Sequence, residues 1–127
     1  MSQAATHTMP LLRLYVDEHG DSRLGTTEIA LTLQNFAPPA TPFNVSNGHP
    51  ATQFVVIRLP PGWIGEPHPS PKQQVLFCLS GSLKIICSTG ETAVIDAGMG
   101  LIMSDVNGKG HKTEVTSAAP VNAVIIQ

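Results

Sequence analysis

The sequence predicts an all-β protein of one domain, built as an antiparallel sandwich or barrel, and three observations predict it. Eleven glycines and eleven prolines within 127 residues punctuate the chain with turns at short intervals. Between the turns lie short runs rich in valine, isoleucine and other strand formers, such as Phe-Val-Val-Ile-Arg-Leu at 54–59. No long stretch carries the 3.6-residue apolar period of an amphipathic helix, so many short strands remain as the way to bury a core.

Residues 11–16 read as a strand, residues 17–22 (Asp-Glu-His-Gly-Asp-Ser) as a turn, and residues 28–33 alternate as a half-buried strand does. Pro38, Pro39, Pro42 and Pro50 exclude a helix or a central strand over residues 36–50, which read instead as an extended surface segment lying across a sheet edge. Residues 1–52 are therefore predicted to be N-terminal strands and a Pro-rich segment packed on a barrel whose core is residues 53–127, one domain in all. Within that core, residues 53–59 form a strand ended by Pro60, Pro61 and Gly62. Residues 73–79 and 82–87 are predicted to pair as a hairpin about Ser80-Gly81. A turn at 88–91, a strand at 92–95 and a tight corner at 96–98 follow. Residues 100–103 lead into the polar loop 104–110, and strands at 111–116 and 121–126 complete the pattern.

The composition, 42% hydrophobic and 13% charged, is that of a compact chain rather than a disordered one. With a formal charge of -2 and its seven basic residues scattered, the chain offers no stripe for a phosphate backbone, and no nucleic acid is expected as a partner. No apolar run approaches the roughly 18 residues of a membrane span and no basic-then-apolar leader opens the chain, so no membrane is expected and a cytoplasmic setting is. Cys78 and Cys87 lie apart in the predicted hairpin: with Leu79 opposite Ser82, Cys78 faces Leu83 and Cys87 faces Gln74. Two buried free thiols are expected rather than a disulfide.

The motif-bearing stretch is residues 62–81, where Gly62 precedes His68, Ser70, Gln74 and a closing Gly81. Alternate strand residues share a face, so His68, Ser70, Gln74, Leu76 and Cys78 point one way. Val75, Phe77 and Leu79 point the other, toward a second sheet or a partner subunit. Downstream, His111 follows the glycine turn Asn107-Gly108-Lys109-Gly110. This arrangement resembles the two motifs of the cupin superfamily, and over about residues 60–127 it is similar to short bacterial single-domain cupins. The first motif has a second histidine where Ser70 stands and a glutamate where Gln74 stands. The second motif matches His111 only with a longer loop from Gly98, and its usual proline is missing near Ser104.

The resemblance implies a cupin-type antiparallel β-barrel or jelly roll, often a homodimer, enclosing a cavity that in many members holds zinc, iron, nickel or manganese. By position it implies His68, Gln74 and His111 as metal ligands, with Ser70, Leu76, Cys78 and Trp63 lining the cavity. Two neutral imidazoles suit a divalent transition metal, whereas the Gln74 amide does not offset its charge as a carboxylate would. Glu66, Asp105, Glu114 or a Cys87 thiolate would serve as substitutes if folded inward.

The structural alternatives are a His68 hydrogen-bonded to backbone, a Gln74 satisfied across strands, and a Trp63 in the core or an interface. Ser70 has no base and orienter beside it in the sequence and is not read as a nucleophile. His7, His19 and His49 are expected at the surface, and Gly108-Lys109-Gly110 reads as a turn rather than a phosphate loop. The expected function is a metal-dependent enzyme, dioxygenase- or isomerase-like, acting on a small organic metabolite. Its alternative is a non-catalytic module that binds or senses a small ligand through a degenerate metal site, and a third reading is a scaffold whose exposed edge makes a dimer.

Overall fold

The structure is a computed structural model and describes residues 7–127, which contain strands and no helix. In chain order the strands are β1 (His7–Val16), β2 (Ser22–Gln34), β3 (Phe43–Val45), β4 (Phe54–Leu59), β5 (Ile64–His68) and β6 (Gln74–Ser80). They continue with β7 (Ser82–Cys87), β8 (Thr92–Asp96), β9 (Gly100–Met103), β10 (His111–Val115) and β11 (Val121–Ile126). Among the described residues no helix is long and apolar enough to cross a membrane.

Two open sheets face each other, so the all-β prediction holds while the barrel does not close. The larger sheet has the order β3-β2-β1-β9-β6-β11-β4 and the smaller one β5-β10-β7-β8. Every pairing is antiparallel except that of β1 with β9. Alternation along each strand builds the core between the sheets. Leu14, Leu76, Cys78, Leu101 and Ala123 point inward from the larger sheet, and Leu83, Ile85, Cys87 and Ile95 meet them from the smaller. Each large apolar side chain among them contributes roughly 1.5–3 kcal/mol by leaving water.

The predicted β6–β7 hairpin is not formed. β6 lies between β9 and β11 in the larger sheet, while β7 lies between β10 and β8 in the smaller one. Two strands facing each other across a core carry the same alternation as two hairpin partners, so periodicity alone does not separate the cases. Gly81 makes the crossing: its φ of +80° is left-handed, and a Cβ there would stand 2.6 Å from the Pro120 carbonyl oxygen. As a consequence Cys87 lies opposite His111, not Gln74, and Gln74 lies opposite Met103.

The N-terminal strands join the larger sheet as members rather than lying on it, with β1 between β2 and β9. Asp17 shapes their turn by accepting from the His19 and Asp21 backbone N–H groups at 2.8 and 3.0 Å. Within the Pro-rich segment, β3 pairs with the outer side of β2, the edge-covering role its composition suggests. β5 was not legible as a strand because it contains Pro67; it is an edge strand, where a missing N–H is tolerated.

Gly81→Ala is expected to lower the urea midpoint with an unchanged slope, a loss of more than about 1 kcal/mol from combined φ strain and clash. Both cysteines are free and buried, and burial is the main influence pushing their thiols up. They should resist a thiol reagent at pH 8 and react fully once the protein is unfolded, which a timed colorimetric titration reads directly.

Candidate functional site

The site is assembled where the end of β5 meets the start of β10. His68 and His111 are cross-strand partners there, with ring centroids 5.1 Å apart and ring planes at 47°. Gly110 permits the approach, because a Cβ at that position would overlap the His68 carbonyl and the Pro69 nitrogen. His111 is 2% exposed, whereas His68 lies at the surface.

Asp105, 0% exposed, is the hub of the arrangement. It continues the inward alternation of Leu101 and Met103 one step beyond β9. Its Oδ1 accepts from the Ser70 hydroxyl at 2.7 Å, its Oδ2 accepts from His111 Nδ1 at 2.5 Å, and its carbonyl accepts from the Ser70 N–H at 2.9 Å. The first two are bonds to a carboxylate with no solvent-exposed surface, and its burial is tolerable only because both oxygens are used.

The partners assign the histidine tautomers. His68 Nδ1 lies 2.7 Å from the Glu66 carbonyl, which can only accept, and His111 Nδ1 lies against a carboxylate. In each neutral ring the hydrogen is therefore on Nδ1 and the lone pair on Nε2, the atom left to work on a ligand. Ser70, by contrast, is committed to Asp105 and is not placed as a nucleophile.

The other predicted site residues are distributed elsewhere. Gln74 is buried, with its amide nitrogen 3.5 Å from Met103 Sδ and its oxygen accepting from Gln127 Nε2 at 2.8 Å. Its hydrogen bonds thus go to Met103 and Gln127 and not to the histidines. Leu76 and Cys78 belong to the packed core, and Trp63 packs against that core with its ring over Gly65. Cys87 faces His111 across strands, but burial, the largest of several influences, raises its thiol, so it does not present a thiolate at neutral pH. Glu66 is exposed and Glu114 pairs with Lys112 at 3.4 Å. A hollow of about 520 Å³ lies over the outer face of the larger sheet, against Val75, Phe77 and Ile102, which are the residues of opposite parity to the core.

The β1–β2 turn braces the loop that delivers His111. Ser22 Oγ donates to the Gly110 carbonyl at 2.7 Å, the Lys109 N–H donates to the Gly20 carbonyl at 2.9 Å, and Lys109 Nζ lies 2.9 Å from Asp21. The hydrogen bond from Lys109, followed by that from Ser88, holds the Asp21 carboxyl below its ordinary range. Sequence reasoning considered Asp105 only as a substitute ligand and passed over Ser22. The parity of Leu101, Met103 and Asp105 was the signal that would have placed Asp105 inside.

Asp105→Asn confronts either Ser70 or His111 with a donor in place of an acceptor and should cost about 1–3 kcal/mol in urea unfolding. Nitrogen NMR of the imidazoles should show His111 protonated on Nδ1 in the neutral parent and a changed tautomer balance in Asp105→Asn. Compared with known proteins, the chain matches no protein-family model and no curated sequence.

Proposed function

We propose that the chain is a cupin-type jelly-roll protein that holds a small organic molecule against His68 and His111 and moves a proton on it, in the manner of an isomerase. The carrying observation is the buried Asp105 bonded to His111 Nδ1. In that arrangement His111 Nε2 takes a proton from the ligand, and the imidazolium so formed is stabilised by the adjacent carboxylate, itself held by Ser70. The His111 imidazolium returns that proton to the ligand, while His68, with its ring centroid 5.1 Å away and open to solvent, offers a second Nε2 lone pair that accepts a hydrogen bond from a ligand hydroxyl. Support for the jelly roll comes from the succession of strands between the two sheets after β4, and support for cupin membership from the spacing of Gly62, His68, Gly81 and His111.

The donors available fit this proton chemistry better than a resident zinc, iron, nickel or manganese ion. Such an ion is commonly held by three or more protein ligands, whereas both Asp105 oxygens and the Gln74 amide already have partners. A cytoplasmic setting, where Cys78 and Cys87 stay reduced, agrees with the free thiols. The non-catalytic binding reading is favoured by one observation, the near-complete burial of His111, which restricts how a ligand reaches Nε2.

Chelator-treated protein incubated in D2O with a panel of 2-oxo acids, hydroxyaldehydes and ketoses should exchange a carbon-bound hydrogen of at least one compound, followed by proton NMR. The exchange should vanish in His111→Gln and fall about tenfold or more in Asp105→Asn. Binding of panel members by thermal shift with no exchange would transfer the assignment to the binding module. Stoichiometric metal that survives desalting, is lost in His68→Ala and His111→Ala, and is needed for turnover would restore the metal-dependent reading.

A further inference from the structure

Each open sheet has two edge strands, and three of the four carry features that discourage pairing with another chain. β3 has three residues, β5 contains Glu66 and Pro67, and β8 is flanked by Glu91 and ends in Asp96. β4 is different: six residues, Phe-Val-Val-Ile-Arg-Leu, with no proline, no acid and no bulge in its pairing with β11. Phe54 and Val56 on it are 69% and 67% exposed.

Its hydrogen bonding shows which backbone groups face outward. Gln53 and Gln127 exchange both bonds, Gln53 N to Gln127 O at 3.2 Å and Gln127 N to Gln53 O at 2.9 Å. Antiparallel ladders alternate, so Val55, Ile57 and Leu59 bond to Ile125, Ala123 and Val121. Phe54, Val56 and Arg58 therefore direct their N–H and C=O groups away from the sheet. Their side chains lie on the sheet's outer face, where Val124 and Ile126 extend the apolar surface.

We propose that β4 pairs antiparallel with β4 of a second copy of this chain about a two-fold axis at Val56, joining the two larger sheets edge to edge. The outward-facing groups require a centre at 54, 56 or 58. A centre at Arg58 sets like charges directly opposite each other, which is destabilising. A centre at Phe54 pairs Val56 with Thr52, whose N–H is already bonded to the Gln127 carbonyl at 2.7 Å. A centre at Val56 uses all three outward residues and forms about six new backbone bonds. It also sets Phe54 against Arg58 of the partner subunit, a cation over an aromatic ring, and keeps the two arginines roughly 13 Å apart along the strands. Arg58 Nε already donates to Asn122 Oδ1 at 2.7 Å, which steadies the guanidinium on this face. The interface is isologous, so it closes at two copies. It does not depend on the proton-transfer reading of the histidine site.

Sedimentation velocity of the full chain at about 50 μM should give twice the 13.4 kDa chain mass. Val56→Pro removes only an N–H that points away from β11, a position where an edge strand tolerates proline, and should halve the mass while keeping the circular dichroism and urea slope of the parent. The register is read by cysteine pairs, since opposed residues in a hydrogen-bonded antiparallel pair have Cα atoms about 5.5 Å apart, within disulfide range. Under mild oxidation V56C should cross-link to itself. F54C and R58C should each stay uncross-linked alone and cross-link when mixed. A parent of single-chain mass, an undiminished dimer in Val56→Pro, or self-cross-linking of F54C in place of V56C would overturn the proposal.

Discussion

A carboxylate with no contact to water organises the functional end of this molecule. Asp105 is tolerated in the interior only while Ser70 and His111 saturate both its oxygens, and that condition reaches into three segments at once. The chain after β5 must bring Ser70 in, the chain after β9 must continue its alternation to residue 105, and β10 must begin at His111. Loss of any one leaves a buried charge short of a partner, so the carboxylate couples the positions of all three segments. The same requirement sets the chemistry, because a ring whose Nδ1 is bound to a carboxylate has its lone pair on Nε2.

The N-terminal half takes part in this arrangement even though both histidines and Asp105 lie in the other half. Ser22 reaches the Gly110 carbonyl and Asp21 holds Lys109, so the turn between β1 and β2 acts as an outer brace for the loop entering β10. Gly110 is pressed between that brace and the His68 backbone, a space that admits no side chain. A residue range that reads as peripheral in sequence is thus tied into one mechanical unit with the site.

What was legible in the sequence follows from which physical signals are local. The bounds of β7, β9 and β11 are those that alternation and flanking turns predict, because a strand's two faces are written in its own residues. Which strands become neighbours is not written there: the alternation of Leu76 and Cys78 against Leu83 and Ile85 suited a hairpin as well as two facing sheets, and the wrong choice also put Cys87 opposite Gln74. His68 and His111 were legible as a pair through motif spacing, and the structure does set them side by side. The role of Asp105 was not, since it sits in a polar loop where an exposed acid is the ordinary expectation and only its parity with Met103 argued otherwise.

Relative to the cupin pattern that the chain resembles, Ser70 and Gln74 differ in a mutually consistent way. A glutamate at 74 would set a second buried carboxylate beside Met103 Sδ, which has no hydrogen to donate, whereas a neutral amide is satisfied there by Met103 and Gln127 together. A serine at 70 is short enough to turn inward and give its hydroxyl to Asp105 Oδ1. Each replacement removes a possible ligand and supplies a neutral group whose hydrogen bonds are met inside the protein. Among the described residues the one buried acid, Asp105, then bonds to a histidine and a serine, the arrangement that the proposed proton transfer requires.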